Sequence, residues 1–287
     1  MPRIAYVNGR YLPHAQAGVH VEDRGYQFAD AVYEVCEVAR GNVMDMTRHL
    51  DRLDRSLSEL RIAWPMTRRA LQTVMTEVVR RNRVTNGLVY VQVTRGVAPR
   101  DHYFPPESVR PSLVVTAKRT NSALLEKRAA EGVKVVTVPE NRWERVDIKT
   151  VGLLPNVLAR QQAKEAGAVE AWFVDRDGTV KEGAATNAWI VTQDGRLVTR
   201  PAEFGILRGV TRTTVIDVAA KLGLTVEERG FTVEEALRAK EAFLSAATTL
   251  VTPVVAIDGR PVGGGRPGEV ALSLRRAFFD VAEKTPA

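Results

Sequence analysis

The chain has 287 residues, of which 45% are hydrophobic and 26% are charged, a composition typical of a soluble globular protein with a sizeable core. This composition excludes disordered, collagen-like and coiled-coil proteins. No apolar run approaches the roughly 18 residues that a membrane-spanning helix needs. Polar residues at Asn8, Arg10 and His14 interrupt any signal-peptide core, so we expect a cytoplasmic protein with no membrane contact.

The formal net charge of +7 would suit a protein that binds nucleic acid or small anions. The basic residues are spread along the chain, and their densest cluster is Arg80, Arg81 and Arg83. This cluster closes a predicted amphipathic helix, where cations favour the negative end of the helix dipole. We interpret it as a solvated helix end and expect no nucleic-acid partner, with a basic nucleic-acid-binding module kept as the alternative class.

Cysteine and histidine usage predicts no metal site and no disulfide. The single cysteine, Cys36, lies in an apolar run and is interpreted as a small buried hydrophobic residue. The four histidines (His14, His20, His49 and His102) show no paired metal-ligand spacing.

Helical and strand patterns alternate in the first half of the chain. Apolar residues recur three and four positions apart over 50–60 and again over 71–78, which predicts two helices that face a core. Strand character returns at 88–94 and at 112–118. Between these two strands lies a proline-rich loop, residues 96–111, of a length that is more often functional than idle.

The second half of the chain predicts a further run of strands joined by tight turns. A polar helical segment, residues 121–132, is interpreted as a linker between an N-terminal domain, 1–120, and a C-terminal cofactor-binding domain, 133–287. Hairpin turns are predicted at Asn8-Gly9, Asp177-Gly178, Asp194-Gly195 and Asp258-Gly259. Helices are predicted near 157–166, 213–222 and 269–282. The sequence therefore predicts a two-domain α+β protein with mostly antiparallel sheets.

A glycine motif near the C-terminus matches the dinucleotide-binding pattern G-x-G-x-x-G at Gly263, Gly265 and Gly268. The chain ends after one further helix, whereas that fingerprint needs a helix followed by a parallel strand with an acidic residue. We therefore interpret the match as accidental.

Lys149 lies in the segment VDIKTVGLL, between apolar neighbours that disfavour a charged ammonium. A neutral lysine amine is a nucleophile for aldehydes, as Schiff-base enzymes require. The alternative is a lysine at a strand end whose amine extends to solvent. Spacing alone leaves both interpretations open.

Other candidate site residues follow Lys149 along the chain. Glu182 is followed by Gly183, Ala184 and Ala185, which leave space for a planar ligand, and a carboxylate facing a pyridine nitrogen would keep that nitrogen protonated. Thr211 opens a predicted helix, where it would help to bind an anion or would act as an ordinary helix cap. Further phosphate donors could come from Thr248 and Arg52.

The chain resembles the class IV pyridoxal-phosphate aminotransferases along nearly its whole length. The resemblance is carried by Lys149, by residues 182–189 with Asn187, by Leu197-x-Thr199 and by residues 207–212. Within that family, the segments EDRGYQF at 22–28, VYEV at 32–35, VTRG at 93–96 and DIK at 147–149 are most similar to the bacterial D-amino-acid aminotransferases.

The resemblance implies a fold type IV homodimer that uses pyridoxal 5'-phosphate. In this interpretation Lys149 forms the Schiff base with the cofactor and Glu182 contacts the pyridine nitrogen. The phosphate is held by Arg52, Val210, Thr211 and Thr248, and Leu207 also contacts the cofactor. The substrate carboxylate is bound by Tyr33, Arg100 and His102, the last two contributed across the dimer interface.

The resemblance further implies transamination from a D-amino acid such as D-alanine to 2-oxoglutarate or another 2-oxo acid. Three activities on the same fold are alternatives: branched-chain L-amino-acid aminotransferase, (R)-amine transaminase and aminodeoxychorismate lyase. The chain departs from the family pattern by alanine at 29, 31, 184, 185, 246 and 247 and by tryptophan at 189. These departures concern the surroundings of the cofactor and leave Lys149 and Glu182 in place.

Overall fold

The computed structural model describes residues 3–203 and 205–287, which form two compact units. The first unit extends to Asn121 and also includes Ile148–Gly152 and Glu283–Ala287. The second unit is formed by Ser122–Asp147 and Leu153–Ala282. Among the described residues, no helix combines the length and the apolar character needed to span a bilayer.

The first unit is a sheet covered by the two longer of its described α-helices. Its strands are β1 (Ile4–Val7), β2 (Arg10–Pro13), β3 (Ala31–Ala39), β4 (Asn42–Met44), β5 (Gly87–Thr94), β6 (Ser112–Arg119) and, near the end of the chain, β16 (Lys284–Pro286). Its helices are α1 (Arg24–Phe28), α2 (Met46–Glu59) and α3 (Arg68–Arg81). The described strands pair antiparallel in the order β16-β4-β3-β5-β6-β1-β2.

The core of the first unit confirms the predicted periodicity. Leu50 and Leu53 of α2 and Leu71 and Met75 of α3 are fully buried in one apolar cluster with the alternate residues of β3 and β5. Cys36 belongs to the same cluster, as the sequence predicts. The periodicity of the two helices therefore identifies the sides that cover the sheet.

The described part of the second unit contains a mixed sheet and five α-helices. Its strands are β7 (Val133–Pro139), β8 (Glu170–Val174), β9 (Val180–Gly183), β10 (Asn187–Val191), β11 (Leu197–Thr199), β12 (Val226–Glu228), β13 (Glu241–Ala246), β14 (Leu250–Ile257) and β15 (Arg260–Pro261). Its described helices are α4 (Ser122–Glu131), α5 (Leu154–Glu165), α6 (Val210–Lys221), α7 (Val233–Arg238) and α8 (Glu269–Val281).

The prediction of mostly antiparallel pairing is confirmed, and the second sheet adds parallel pairs that the sequence did not predict. Strand β7 pairs parallel with both β8 and β14, and β11 pairs parallel with β12. The cause is that α5 connects β7 to β8 and α6 connects β11 to β12, and a helical crossover returns the chain in the same direction. The four predicted hairpin turns are confirmed, each with a residue of positive φ at its tip.

The segment at residues 121–132, predicted as a helical linker, packs against a neighbouring helix. Most of this segment is helix α4, which belongs to the second unit. Ala129 is buried, and Glu126 accepts a hydrogen bond at 2.8 Å from Arg275 of α8. Because the segment is mostly polar, its sequence does not reveal the narrow side by which it packs.

Candidate active site

Lys149 lies on a short segment, Ile148–Gly152, that groups with the first unit although it follows β7 of the second unit in sequence. Its backbone oxygen accepts a hydrogen bond from the amide of Tyr33 at 3.0 Å, and Val151 donates to Ala31 at 3.2 Å. The segment therefore extends along the beginning of β3, which fixes the backbone of Lys149 relative to Tyr33.

The side chain of Lys149 is half-buried and contacts an aromatic ring. Its Nζ donates a hydrogen bond to Tyr33 Oη at 3.3 Å and lies 4.3 Å from the centre of the Tyr33 ring. The sequence predicted a role for each of these residues but did not bring them together. Their contact unites the predicted Schiff-base lysine with one member of the predicted carboxylate site.

Tyr33 is supported by a second tyrosine. Its ring stacks on Tyr90 of β5 with centres 5.6 Å apart, and Tyr90 donates a hydrogen bond to Gln92 Oε1 at 2.7 Å. Burial, reinforced by neighbouring Tyr33, raises the pKa of Tyr90 to about 12. Tyr90 therefore stays protonated at neutral pH and supports the Tyr33 ring as a neutral partner.

Arg52, predicted to bind phosphate, is held by a buried carboxylate. Its Nε and Nη2 donate to Glu34 at 2.7 and 2.8 Å, and His49 Nδ1 lies 2.7 Å from the same carboxylate. Burial alone would raise the pKa of Glu34, but the charge and hydrogen bonds of Arg52, together with His49, lower it to about 2. Glu34 therefore stays ionised and orients Arg52, whose contact with phosphate remains a prediction.

Arg100 and His102 come together on a third side chain, Phe28. The guanidinium carbon of Arg100 lies 4.9 Å from the centre of the Phe28 ring, and the His102 ring centre lies 5.4 Å from it. Both predicted carboxylate-binding residues are exposed. Tyr33, the third predicted member of that site, contacts Lys149 instead, and its contact with the substrate carboxylate remains a prediction.

Glu182 is a buried carboxylate in β9 of the second unit, where several donors converge on it. It accepts hydrogen bonds from Arg142 Nη1 at 2.7 Å, from Asn187 Nδ2 at 3.2 Å and from the backbone amide of Leu207 at 3.1 Å. The backbone oxygen of Leu207 accepts a hydrogen bond from Asn187 at 3.1 Å. The predicted residues Glu182 and Leu207 thus lie side by side.

Arg142 is a residue of this cluster that the sequence analysis missed. Its side chain is only 6% exposed, and it donates to Glu140 as well as to Glu182, with its guanidinium carbon 4.3 Å from the centre of the Phe173 ring. Burial alone would lower the pKa of Arg142, but the two carboxylates raise it. Arg142 lies 40 residues before Glu182. No local pattern connects the two, and the only signal was an arginine two positions after Glu140.

The N-terminus of helix α6 carries two predicted phosphate ligands, Val210 and Thr211, both buried in its first turn. The cap residue is Gly209 and no side chain caps the helix, so the alternative in which Thr211 is an ordinary cap was wrong. A Cβ at Gly209 would lie 2.0 Å from Asn187 Oδ1, which explains the glycine. An uncapped helix N-terminus suits a phosphate group.

The remaining predicted phosphate ligand, Thr248, lies in the turn between β13 and β14. In the described part of the chain, the buried hydroxyls of Thr249 and Thr186 have no hydrogen-bond partner. Buried hydroxyls are usually satisfied, so these two are free to bind a ligand. A buried carboxylate, an uncapped helix end and unpartnered hydroxyls are the groups that a pyridine ring with a phosphate requires, and the second unit therefore fits such a cofactor.

Comparison with known proteins identifies the family. The amino-transferase class IV family profile matches residues 31–257, and the chain belongs to this family. Members of the family bind pyridoxal phosphate. The fold is shared with the branched-chain amino acid aminotransferase of Escherichia coli, at a TM-score of 0.90 and 25% identity, over 98% of this chain and 95% of that one. The predicted family, fold and cofactor are therefore confirmed.

Relatives identified by sequence include D-alanine aminotransferases. The Bacillus licheniformis enzyme is 38% identical over 271 residues, or 94% of each chain, and the Staphylococcus haemolyticus enzyme is 37% identical over 273 residues, or 95% of each. A second branched-chain amino acid aminotransferase, solved in complex with N-(5'-phosphopyridoxyl)-L-glutamate, has a TM-score of 0.88 and 27% identity, over 98% of this chain and 94% of that one.

Proposed function

We propose that this class IV aminotransferase transfers the amino group of a D-amino acid of the D-alanine type to 2-oxoglutarate or another 2-oxo acid. The observation that carries the proposal is the pair Arg100 and His102, presented together on Phe28 with their side chains exposed. A guanidinium binds a carboxylate by two parallel hydrogen bonds, and a neighbouring imidazole can donate a third. The D-alanine aminotransferases among the relatives support this substrate class.

The residues of the first unit would move the substrate proton. Pyridoxal phosphate, when bound, supplies an electron sink for negative charge at the substrate Cα. Lys149 would hold the cofactor through Nζ and, once released, would take the proton from the substrate Cα as general base and return it as general acid. The hydrogen bond to Tyr33 at 3.3 Å orients that amine.

The residues of the second unit would hold the cofactor in a fixed electrostatic environment. Glu182 would accept a hydrogen bond from the protonated pyridine nitrogen, and Arg142 at 2.7 Å keeps this carboxylate oriented. The phosphate would be held by Val210 and Thr211 at the uncapped helix end, and Leu207 would contact the ring. Thr248 and, from the first unit, Arg52 complete the proposed cofactor contacts.

A substrate panel tests the proposal. We expect kcat/KM for D-alanine to exceed that for L-leucine in the wild type. Because Arg100 is exposed, we expect Arg100→Ala to lower the D-alanine value roughly tenfold or more while leaving (R)-1-phenylethylamine, which has no carboxylate, unchanged. Arg110→Ala, which removes an exposed arginine from the same loop, is the matched control. A preference for L-leucine would assign branched-chain activity instead, and equal losses for all substrates would show that Arg100 only supports the fold.

We also propose that Arg100 and His102 serve the Lys149 of a partner subunit in a homodimer. Apolar side chains around this region are unusually exposed, with Val21 70%, Tyr26 75% and Tyr103 81% accessible, as expected for a surface covered by another chain. Mixing inactive Lys149→Ala subunits with the weakened Arg100→Ala subunits, with D-alanine as substrate, tests this arrangement. Half of the randomly formed dimers would then hold one intact site, which restores about a quarter of the wild-type activity. No restored activity would place Arg100 in the site of its own subunit.

A further inference from the structure

We propose that Asp30 is a positioning residue that holds the segment bearing Arg100 and His102 in place before the substrate binds. The proposal rests on the function proposed above and adds the device that orients its carboxylate site. Neither the sequence motifs nor the predicted roles of Arg100 and His102 assign any task to Asp30.

Asp30 binds two arginines from different parts of the first unit. Its Oδ2 accepts hydrogen bonds from Arg24 Nε at 2.9 Å and from Arg95 Nε at 2.7 Å, and its Oδ1 accepts one from Arg95 Nη2 at 2.9 Å. The three side chains are 13%, 4% and 9% exposed for Asp30, Arg24 and Arg95, respectively. Ala29, with φ of 56°, ends helix α1 and turns the chain at Asp30.

Arg24 connects Asp30 to the middle of the proposed carboxylate site. Its Nη1 donates to the backbone oxygen of Asp101, the residue between Arg100 and His102, at 2.6 Å. Its guanidinium carbon also lies 4.8 Å from the centre of the Phe28 ring that Arg100 and His102 contact. The buried side chain of Arg24 therefore fixes both the backbone at Asp101 and the Phe28 ring that supports the site.

Arg95 connects Asp30 to a second point of the same loop, Phe104. Its guanidinium carbon lies 3.7 Å from the centre of the Phe104 ring. Arg95 itself is fixed by hydrogen bonds to the backbone oxygens of Leu60 at 2.7 Å and Arg61 at 2.9 Å. Residues 100–104 are thus held near both ends by arginines that share one carboxylate.

The charge of Asp30 is what keeps this arrangement together. Without it, two buried guanidiniums would lie close to each other with no shared counter-ion, a costly arrangement in a poorly hydrated site. Their displacement would release Asp101 and Phe104 and increase the mobility of Arg100 and His102. A site fixed in advance binds its ligand with a smaller loss of conformational entropy, so the device should act on substrate binding.

Hydrogen–deuterium exchange and kinetics of the holoenzyme test this inference with Asp30→Asn. The matched control is Asp51→Asn, which removes a carboxylate from an exposed pair with Arg68 in the same unit. We expect roughly tenfold faster exchange over residues 97–110 and a KM for D-alanine raised roughly tenfold or more, with a smaller change in kcat. The kcat/KM for (R)-1-phenylethylamine should change less than twofold. The control should match the wild type in every measurement.

A second variant covers the case in which Asp30→Asn does not fold. Phe104 is 49% exposed, so Phe104→Leu removes one anchor of the loop with little effect on the core, and it should show the same pattern at smaller amplitude. Unchanged exchange and unchanged KM in the variant that folds would overturn the positioning role. If Arg100→Ala fails to separate D-alanine from the amine, the proposed function fails instead, and the exchange rates still decide whether Asp30 holds the loop.

Discussion

Lys149 of the first unit and Glu182 of the second unit are the two residues most closely tied to the proposed chemistry, and they are held in opposite ways. Lys149 Nζ makes a long hydrogen bond of 3.3 Å to Tyr33 and lies over its ring. Glu182 accepts hydrogen bonds from Arg142, Asn187 and Leu207 at 2.7 to 3.2 Å. The lysine is free to change partners, whereas the carboxylate is fixed.

This difference suits the task proposed for each group. A base that takes and returns a proton must leave its resting contact during each turnover, so a weak contact is sufficient to orient it. A carboxylate that stabilises a ring charge works best when its dipolar surroundings do not reorganise. The buried ion pair with Arg142 provides those surroundings.

The largest expected effect comes from removing the loosely held amine. Lys149→Ala should lower turnover by about a thousandfold or more, since nucleophile and proton carrier are lost together. The visible absorbance of the bound cofactor should disappear as well. Lys164→Ala, an exposed lysine on α5, is the control and should match the wild type. Retained activity without added amine would remove Lys149 from the mechanism.

The next largest effect concerns the contribution of Arg142 and its two carboxylate partners to the stability of the protein. Arg142→Met removes the cation between Glu140 and Glu182 and takes this ion-pair partner from the buried carboxylate of Glu182 and the partly buried carboxylate of Glu140. The free energy of unfolding should fall by about 3–5 kcal/mol, as for other broken buried ion pairs. Urea titration at neutral pH measures this change. A loss below about 1 kcal/mol, the range of exposed pairs, would show that the cluster is not held by Arg142.

A smaller effect is expected when the charge of Glu182 is removed and its shape is kept. Glu182→Gln should retain the cofactor absorbance and lower kcat roughly 10- to 100-fold, because a neutral amide holds the pyridine proton less well. In this variant, therefore, the turnover falls while the cofactor absorbance is kept, whereas both fall in Lys149→Ala. Turnover at the wild-type rate would mean that Glu182 is not the partner of the ring nitrogen.

The smallest effect near neutral pH comes from the buried cluster that orients Arg52. Burial lowers the pKa of His49 below 6.5 despite the opposing influence of Glu34, and the pKa of Glu34 falls from 4.5 to about 2 because Arg52 and His49 outweigh burial. Because both pKa values are lower in the folded protein than in the unfolded chain, both groups bind fewer protons in the folded state. Their contribution to the stability of the folded protein is therefore complete above pH 6.5 and is lost on acidification.

The melting temperature should therefore fall below pH 6.5, and fall further between pH 4.5 and about 2. The variant His49→Gln should remove the first part of this decline and leave the second. Thermal melts across this range check the expectation. A melting temperature that stays constant or rises on acidification would contradict the assigned directions.

The sequence predicted those features of the fold that depend on residues close together along the chain. The helical spacing over 50–60 identified α2 without any tertiary information, and the tight turns placed the hairpins. Arg142 could not be found in this way, because its partner Glu182 lies 40 residues further along the chain. The parallel pairing of β7 with β8 was missed for a similar reason, since only the intervening helix α5 sets its direction.

The residues of the candidate site were predicted largely through family resemblance. The contacts between those residues were not predicted. Spacing alone did not decide whether Lys149 is a nucleophile or an exposed lysine. Its pairing with Tyr33 arises from a short backbone bridge to β3. The role of Asp30 required knowing that Arg24 and Arg95, far apart in sequence, reach the same carboxylate.

Loss of the substrate Cα–H signal in D₂O measures the central claim most directly, because it reports proton removal without a coupled reaction. The holoenzyme is incubated separately with D-alanine and with L-leucine, each with a catalytic amount of 2-oxoglutarate, and the Cα–H signal is followed by proton NMR. We expect the signal of D-alanine to disappear rapidly and that of L-leucine to persist, with the D-alanine rate reduced in Arg100→Ala. Faster exchange of L-leucine than of D-alanine would contradict the account.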